Sequence, residues 1–174
     1  MSGKVIVIGS GPVGLIAALA MEKLGYGVEI VYPKAQQSPH RSKPLVLSLS
    51  SCRVLNNLEV NITKKRILNQ VRLSSLSAIQ SLLCHASDVN VPMLGCIVNG
   101  SDLLASLHET LSQKQAITSV DGLVDSITYK SGKSYIVLKD GRRYSADLVI
   151  AADGKQSTMR QLHHIPIEYF RLHN

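Results

Sequence analysis

Residues 4–14 read Lys4-Val5-Ile6-Val7-Ile8-Gly9-Ser10-Gly11-Pro12-Val13-Gly14, and this stretch decides the fold of the chain. The apolar run before the first glycine is typical of a buried strand, and an apolar helix is predicted after it over about Pro12–Leu24. Pro12 suits the first helical turn, because an N–H at that position would have no helical partner. The stretch therefore predicts a strand, a glycine-rich turn and a helix in direct succession.

The turn has the spacing Gly-x-Gly-x-x-Gly, in which each glycine permits a different close approach. Gly9 allows the tight turn, Gly11 lets a diphosphate reach the backbone, and Gly14 lets the helix pack against the strand. The diphosphate would lie at the positive end of the helix dipole. A helix stop at Gly25 and a strand over Val28–Tyr32 complete a βαβ unit typical of dinucleotide binding. An ordinary tight turn is the alternative.

The middle of the chain shows short apolar segments and no clear linker. Helical spacing of apolar residues predicts a helix over residues 46–58 and a second over Ser101–Gln113, with Ser101 as its N-cap. Strands are predicted over Arg66–Leu76 and Met93–Val98. For Ala78–His85 the periodicity leaves strand and helix open.

The last third of the chain is rich in strand signals. Short strands with tight turns between them are predicted over Leu123–Tyr129, Ser134–Leu138 and Arg142–Tyr144. Ala146–Ala151 is predicted to be a strand buried on both faces, and Ser157–His163 a terminal helix. Together with the βαβ unit, these elements predict an α/β fold in one domain.

Composition narrows the function classes. The 174 residues are 45% hydrophobic, which argues against disorder, and the net charge of +7 would suit nucleotides or an anionic membrane surface. With one Phe and no Trp, nucleic-acid binding is not expected. No apolar run reaches the ~20 residues that span a bilayer. The three cysteines lack metal-ligand spacing and are odd in number, so we expect no metal site and a reduced, cytoplasmic setting.

A second motif follows the last predicted strand and reads Ala152-Asp153-Gly154-x-x-Ser157-x-x-Arg160. A buried strand would deliver this Asp-Gly turn to the sheet edge where open α/β folds bind ligands. With both motifs in this order, the chain resembles the flavoprotein aromatic hydroxylases, which are single-component FAD monooxygenases. Within that group it is most similar to the ubiquinone-biosynthesis hydroxylases, through the segments Lys43–Leu47 with Cys52, Leu94–Val98 and Ser101–Leu104.

The resemblance implies an FAD site that both motifs build. The implied cofactor-binding residues are Gly9, Gly11, Pro12, Val13 and Gly14 at the diphosphate, Tyr32 at the ribose position, Lys43 in the place of an arginine, Val124 at the adenine, and Asp153 and Gly154 at the ribityl–diphosphate side. Arg160 is expected to brace the Asp-Gly loop. No side chain is implied as catalytic, since the flavin, reduced by NAD(P)H, carries the oxygen chemistry.

The implied fold is Rossmann-like: a parallel sheet with a β-meander crossover, plus part of a lateral substrate-domain sheet. Residues 1–174 would form the FAD-binding domain, and residues 66–98 a partial substrate-domain insertion. Because members of the family are much longer, we expect only the FAD-binding portion here, with weak or absent FAD binding and no hydroxylation in isolation. The implied substrate is a small lipophilic aromatic ring. The protein is expected to make peripheral contact with the inner membrane.

Two departures from the family pattern keep other functions open. Tyr32 stands where the family has an acidic ribose ligand, and Gly100 where a basic residue is expected. One alternative is a catalytically silent scaffold that associates with itself or with a biosynthetic complex. Another is an NADP-binding oxidoreductase, because Lys34 and Arg41 near Tyr32 would suit a 2′-phosphate.

Overall fold

The computed structural model describes residues 3–33, 43–74 and 81–168 of the chain. These residues fall into two compact units. The first unit combines Met1–Gln37 with Gln113–Asn174, and the second comprises Ser38–Ser112. Lys34 and Arg41, the basic residues predicted to suit a 2′-phosphate, lie outside the described residues.

Both units contain helices and strands. From the amino terminus the elements are β1 (Lys4–Ile8), α1 (Pro12–Lys23), β2 (Gly27–Tyr32), β3 (Pro44–Ser48), α2 (Leu49–Asn57), β4 (Lys65–Leu68), β5 (Gln70–Ser74), β6 (Ser81–His85), β7 (Gly95–Asn99) and α3 (Gly100–Ser112). They continue with β8 (Ile117–Asp121), β9 (Val124–Lys130), β10 (Lys133–Leu138), β11 (Arg143–Ala146), β12 (Leu148–Ala151) and α4 (Thr158–Leu162).

A four-stranded parallel sheet organises the first unit, in the order β12-β1-β2-β8. β1 lies near its centre, with Ile6 opposite Val149 on one side and Glu29 on the other. The apolar run that predicted this strand is buried from Val5 to Ile8. The βαβ unit predicted from the glycine-rich turn is therefore confirmed, with β1 and β2 parallel and α1 between them in sequence.

The connection from β8 to β12 is an antiparallel meander of β9, β10 and β11. Its turns are tight, with left-handed backbone at Ser131, Gly132 and Gly141. The meander, the sheet and α4 share one apolar core, to which Ile6, Ile8, Val31, Val124, Ile136, Leu138, Ala146 and Met159 contribute. This is the Rossmann-like parallel sheet with a meander crossover that the resemblance implies.

The second unit contains a three-stranded antiparallel sheet in the order β3-β7-β4 and a separate hairpin of β5 and β6. α2 packs on β3 and β7, and α3 contacts β7. Ala78–His85, for which helix and strand were both open, is strand over its described part, Ser81–His85. The assignment of residues 66–98 to a substrate-domain insertion stays a prediction.

Two local predictions in the second unit were wrong, and one strand of the first unit was missed. The helix predicted over residues 46–58 begins only at Leu49, because residues 44–48 form a strand that pairs along β7. Ser48 Oγ caps the helix by accepting a hydrogen bond from Ser51 N at 3.2 Å. Ser101 lies inside α3 and is not its N-cap, since the helix already begins at Gly100. The strand β8 was not predicted at all.

The expectation that β12 is buried on both faces was also wrong. Leu148 is 47% exposed, and Asp147 interrupts the run by accepting a hydrogen bond from Lys4 N at 2.8 Å. Within the described residues β12 is an edge strand that pairs with β1 alone, so it has no neighbouring strand on its other side. No described helix is long and apolar enough to cross a membrane.

Candidate functional site

The two glycine-containing motifs meet at the carboxyl ends of β1 and β12. Ala152 N donates to Ile8 O at 2.8 Å, which joins the two strand ends directly. A Cβ on Gly9 would collide with the carbonyl oxygen of Ala152 and would lie 3.0 Å from Asp153 Cα. Gly9 also has φ +112°, which favours glycine. The fold therefore places segments far apart in sequence in backbone contact at one edge of the sheet.

The other two glycines of the turn differ in what surrounds them. A Cβ on Gly14 would collide with the carbonyl oxygen of Gly9, so glycine here lets α1 pack directly on the turn. A Cβ on Gly11 would meet no heavy atom within 4 Å. Gly11 is the N-cap of α1, so this open space lies at the helix amino terminus. The close packing predicted for Gly14 is confirmed, whereas the approach of a diphosphate at Gly11 stays a prediction that this open space permits.

The amino terminus of α1 is suited to bind an anion. Its first turn contains no acidic residue, and no side chain among the described residues caps it. Pro12 occupies the start of the helix, and Val13 is 71% exposed beside it. The backbone N–H groups and the helix dipole thus present positive charge next to the open space at Gly11. A diphosphate fits this cradle, because both close packing and free space lie where the motif requires them.

Asp153 is held by the helix that follows it. Its carboxylate accepts hydrogen bonds from Ser157 Oγ at 2.6 Å and from Met159 N at 3.0 Å. Ser157 Oγ in turn accepts from Arg160 N at 3.0 Å, and the Arg160 guanidinium donates to Lys155 O at 2.8 Å. The Asp-Gly loop is therefore fixed to α4. A ligand approaching this loop would meet backbone and Gly154 as well as the carboxylate.

Gly154 keeps the loop open on its outer side. Its φ is +84°, and a Cβ there would meet no heavy atom within 4 Å. It lines a cavity of about 640 Å³ beside β12, together with Leu148, Val149, Met159 and Arg160. The cavity is bordered by β9, β12 and α4, all in the first unit.

Tyr32 ends β2, the strand next to β1. It pairs with Asp121 at the end of β8, and Gly122 N donates to Tyr32 O at 3.2 Å. Directly paired residues in parallel strands point to the same side of a sheet, so the Asp121 carboxylate shares a side with the Tyr32 phenol. Asp121 was not singled out from the sequence, because β8 itself was not predicted.

Val124 and Lys43 lie in different units. Val124 was expected on the strand directly after the helix that contains Ser101; β8 intervenes, and Val124 instead begins β9 with its side chain buried in the core. Only its backbone is therefore available to an adenine. Lys43 precedes β3 in the second unit, where its carbonyl oxygen accepts from Gly100 N at 3.1 Å.

Within the described ranges, no group of three or more His, Cys, Asp or Glu side chains is placed to hold a metal ion. The residues brought together at the sheet edge are glycines, backbone amides and one engaged carboxylate. They can bind and orient a phosphorylated ligand. None of them forms a nucleophile–base pair.

The family described as "FAD binding domain" matches residues 2–173. The chain belongs to this family. Among curated proteins, it is 30% identical over 171 residues to the FAD-dependent monooxygenase anuJ of Penicillium roqueforti, covering 90% of this chain and 21% of that protein. It is 25% identical over 184 residues to the 3-demethoxyubiquinol 3-hydroxylase of Escherichia coli, covering 91% of this chain and 43% of that protein.

Solved structures of flavoproteins share the fold of this FAD-binding-domain protein. The probable FAD-dependent monooxygenase pqsL of Pseudomonas aeruginosa matches with a TM-score of 0.78 at 18% identity, over 99% of this chain and 48% of that one. The 2,6-dihydroxypyridine-3-hydroxylase of Arthrobacter nicotinovorans matches with a TM-score of 0.71 at 18% identity, over 97% and 41%. The chain spans between about a fifth and a half of the proteins named here.

Proposed function

We propose that this chain is the FAD-binding portion of an FAD-dependent monooxygenase that hydroxylates an aromatic ring, of the ubiquinone-biosynthesis type. The observation that carries the proposal is the contact between the two motifs, in which Gly9 lies against Ala152 and Asp153 at one sheet edge. A nicotinamide-binding Rossmann domain needs the first motif only. The second motif beside it favours FAD.

The residues of the chain would bind and orient the cofactor. Gly11, Pro12, Val13 and Gly14 would hold the diphosphate through backbone N–H groups and the dipole of α1. Gly154 would let the ribityl side approach the loop that Asp153 fixes to α4. When bound, FAD supplies the redox chemistry that transfers electrons from NAD(P)H to dioxygen. Consistent with that division of labour, we assign no catalytic side chain to this part of the chain.

The substrate class and the partners belong to the same proposal. A small lipophilic aromatic substrate follows from the ubiquinone-biosynthesis type, and peripheral contact with an anionic membrane would suit the net charge of +7. Self-association is supported by the exposed flank of β12 at Leu148. The scaffold alternative also predicts self-association, so FAD binding is the property that distinguishes the proposed monooxygenase from a scaffold.

Titration with FAD of the unsubstituted chain and of two glycine variants tests the proposal. Gly11→Ala puts a methyl group into the proposed diphosphate position, whereas Gly27→Ala puts one into equally open space at the start of β2. We expect FAD to raise the thermal midpoint of the unsubstituted chain in a concentration-dependent way. We expect Gly11→Ala to weaken FAD binding about tenfold or more, and Gly27→Ala to leave it unchanged.

Other outcomes would contradict the proposal. A larger stabilisation by NADPH than by FAD would favour the NADP-binding oxidoreductase. No response to millimolar FAD, NADPH or ADP would favour the scaffold. Equal effects of both glycine substitutions would show that FAD binds elsewhere than at the amino terminus of α1.

A further inference from the structure

Two of the three cysteines, which no motif unites in the sequence, meet in the second unit. Cys52 lies in the first half of α2 and Cys96 on β7, and their Sγ atoms are 3.3 Å apart. Cys52 Sγ also lies 3.9 Å from the carbonyl oxygen of Leu47, the residue paired with Cys96 across β3 and β7. The pair is thus held where the helix packs on the sheet. An S–S bond needs the sulfurs to approach by only about 1 Å more.

The two thiols differ in access. Cys96 is 1% exposed, whereas Cys52 is half-buried, and both line a cavity of about 160 Å³ with Lys65, Glu59 and Asn61. A cavity of this size admits molecules somewhat larger than water. A small oxidant can therefore reach Cys52, the more exposed of the two thiols, through this cavity.

The surroundings keep Cys96 protonated at neutral pH. Burial raises its pKa to about 11, and the hydrogen bond with Cys52 acts in the same direction, while the positive charge of Lys65 acts against them. Because the thiolate is the attacking species, Cys52 is the thiol placed to react first with an oxidant.

We propose that Cys52 and Cys96 form a redox modification site, a reversible disulfide that a peroxide installs and a dithiol removes. In the first step the Cys52 thiol loses its proton and the thiolate attacks one oxygen of hydrogen peroxide; the O–O bond breaks, the leaving hydroxide takes up that proton, and a sulfenic acid and water result. In the second step Cys96 gives its proton to the leaving hydroxide as the S–S bond forms and the S–O bond breaks. Two thiols and one peroxide thus become one disulfide and two water molecules.

The bond would join α2 covalently to β7. Helix α2 contacts both β3 and β7, so the link would tie the helix to the central strand of the three-stranded sheet. It would close residues 53–95 into a loop, which restricts the unfolded chain and stabilises the unit. The residues that build the site lie between Leu47 and Cys96, in the second unit.

Cys84 supplies an internal control. It lies on β6 opposite Val71, in the hairpin rather than in the three-stranded sheet. Like Cys52 it is partly exposed. Oxidation governed by exposure alone would therefore involve Cys84 as readily as Cys52, whereas oxidation governed by geometry would leave Cys84 as a thiol.

The experiment is oxidation of the folded chain with hydrogen peroxide, followed by blocking of free thiols, intact mass and peptide mapping. We expect one blocked thiol, at Cys84, a Cys52–Cys96 crosslinked peptide, and a monomer lighter by about 2 Da than a chain with one blocking group and no disulfide. Dithiothreitol added before the blocking step should reduce the disulfide and leave all three thiols to be blocked. The oxidised form should melt several degrees higher than the reduced form. Cys84→Ser should form the crosslink as the unsubstituted chain does.

Several results would contradict the proposed disulfide. Crosslinks that include Cys84, or crosslinks between chains, would overturn the proposal, as would three blocked thiols after oxidation of the unsubstituted chain. Oxidation in concentrated urea gives the reference distribution of pairings for a chain without structure. If the folded chain gave that same distribution, the fold would not be selecting Cys52 and Cys96, and the proposal would fail.

Discussion

At the carboxyl end of β2, a phenol takes the position that the family pattern gives to a carboxylate. A Tyr32 hydroxyl can offer one neutral hydrogen bond, whereas a carboxylate accepts two charge-assisted ones from the ribose hydroxyls. Hydrogen bonds to charged groups contribute about 1.5–3 kcal/mol. The affinity of this chain for FAD should therefore be limited at this residue more than at the glycine cradle.

Restoring the acid tests this limit. We expect Tyr32→Glu to tighten FAD binding about tenfold, because the new carboxylate would accept two charge-assisted hydrogen bonds where the phenol offers one neutral one. The measurement is the FAD dissociation constant by fluorescence quenching. Tyr135→Glu changes the net charge equally at an exposed position on β10 and should leave the constant unchanged.

The Asp121 carboxylate is a second candidate for the ribose contact, so it is tested beside Tyr32. Its carboxylate lies beside Tyr32 in the sheet register, so it could already serve the ribose. If Tyr32→Glu did not tighten binding and Asp121→Asn weakened it, the limit at Tyr32 would be contradicted and the ribose contact would belong to Asp121.

At the scale of elements, the loop after β12 depends on a helix of one turn. α4 spans only Thr158–Leu162, which is too short to be stable without tertiary contacts. Asp153 and Ser157 satisfy the N–H groups of its first turn, and Met159 anchors it in the core. The loop that would meet the cofactor is thus as stable as these few bonds.

Removing one acceptor should loosen this loop. Asp153→Asn keeps the size of the side chain but leaves one acceptor oxygen, so Ser157 Oγ and Met159 N can no longer both donate to it, and we expect a loss of about 1–2 kcal/mol in the free energy of unfolding. Urea denaturation measures it. Asp125→Asn, an exposed acid on β9, should change it by less than about 0.5 kcal/mol. Equal losses in the two variants would show that the Asp153 bonds do not hold α4.

The elements show which signals a single sequence carries. β1, α1 and β2 could be predicted nearly to the residue, because a buried strand, a glycine turn and an apolar helix each have a local signature. β3 and β8 could not, because their short segments become strands only by pairing with β7 and β2. For the same reason the sequence did not predict the position of Asp121 beside Tyr32 or the Cys52–Cys96 contact. Both follow from strand pairing and packing, not from spacing along the chain.

In the molecule as a whole, one edge of the parallel sheet is open among the described residues. The chain spans only 21% and 43% of the curated relatives described above, yet it carries both halves of the cofactor motif. In the first unit, β12 forms no ladder on its outer edge among the described residues, and Leu148 and the cavity of about 640 Å³ lie beside it. An open apolar edge strand is a template for pairing with another strand.

A second copy of the chain is the occupant that we expect at this edge in a purified sample. The average mass in sedimentation equilibrium should rise with protein concentration, because β12 of one copy can pair with β12 of another. Leu148→Lys should return the chain to a monomer, since a charged side chain at an edge strand opposes pairing. Leu24→Lys provides the matched control: it also replaces an exposed leucine, but at the end of α1, so association should persist. A monomer at all concentrations, or equal loss of association in both variants, would show that this edge is not where copies of the chain meet.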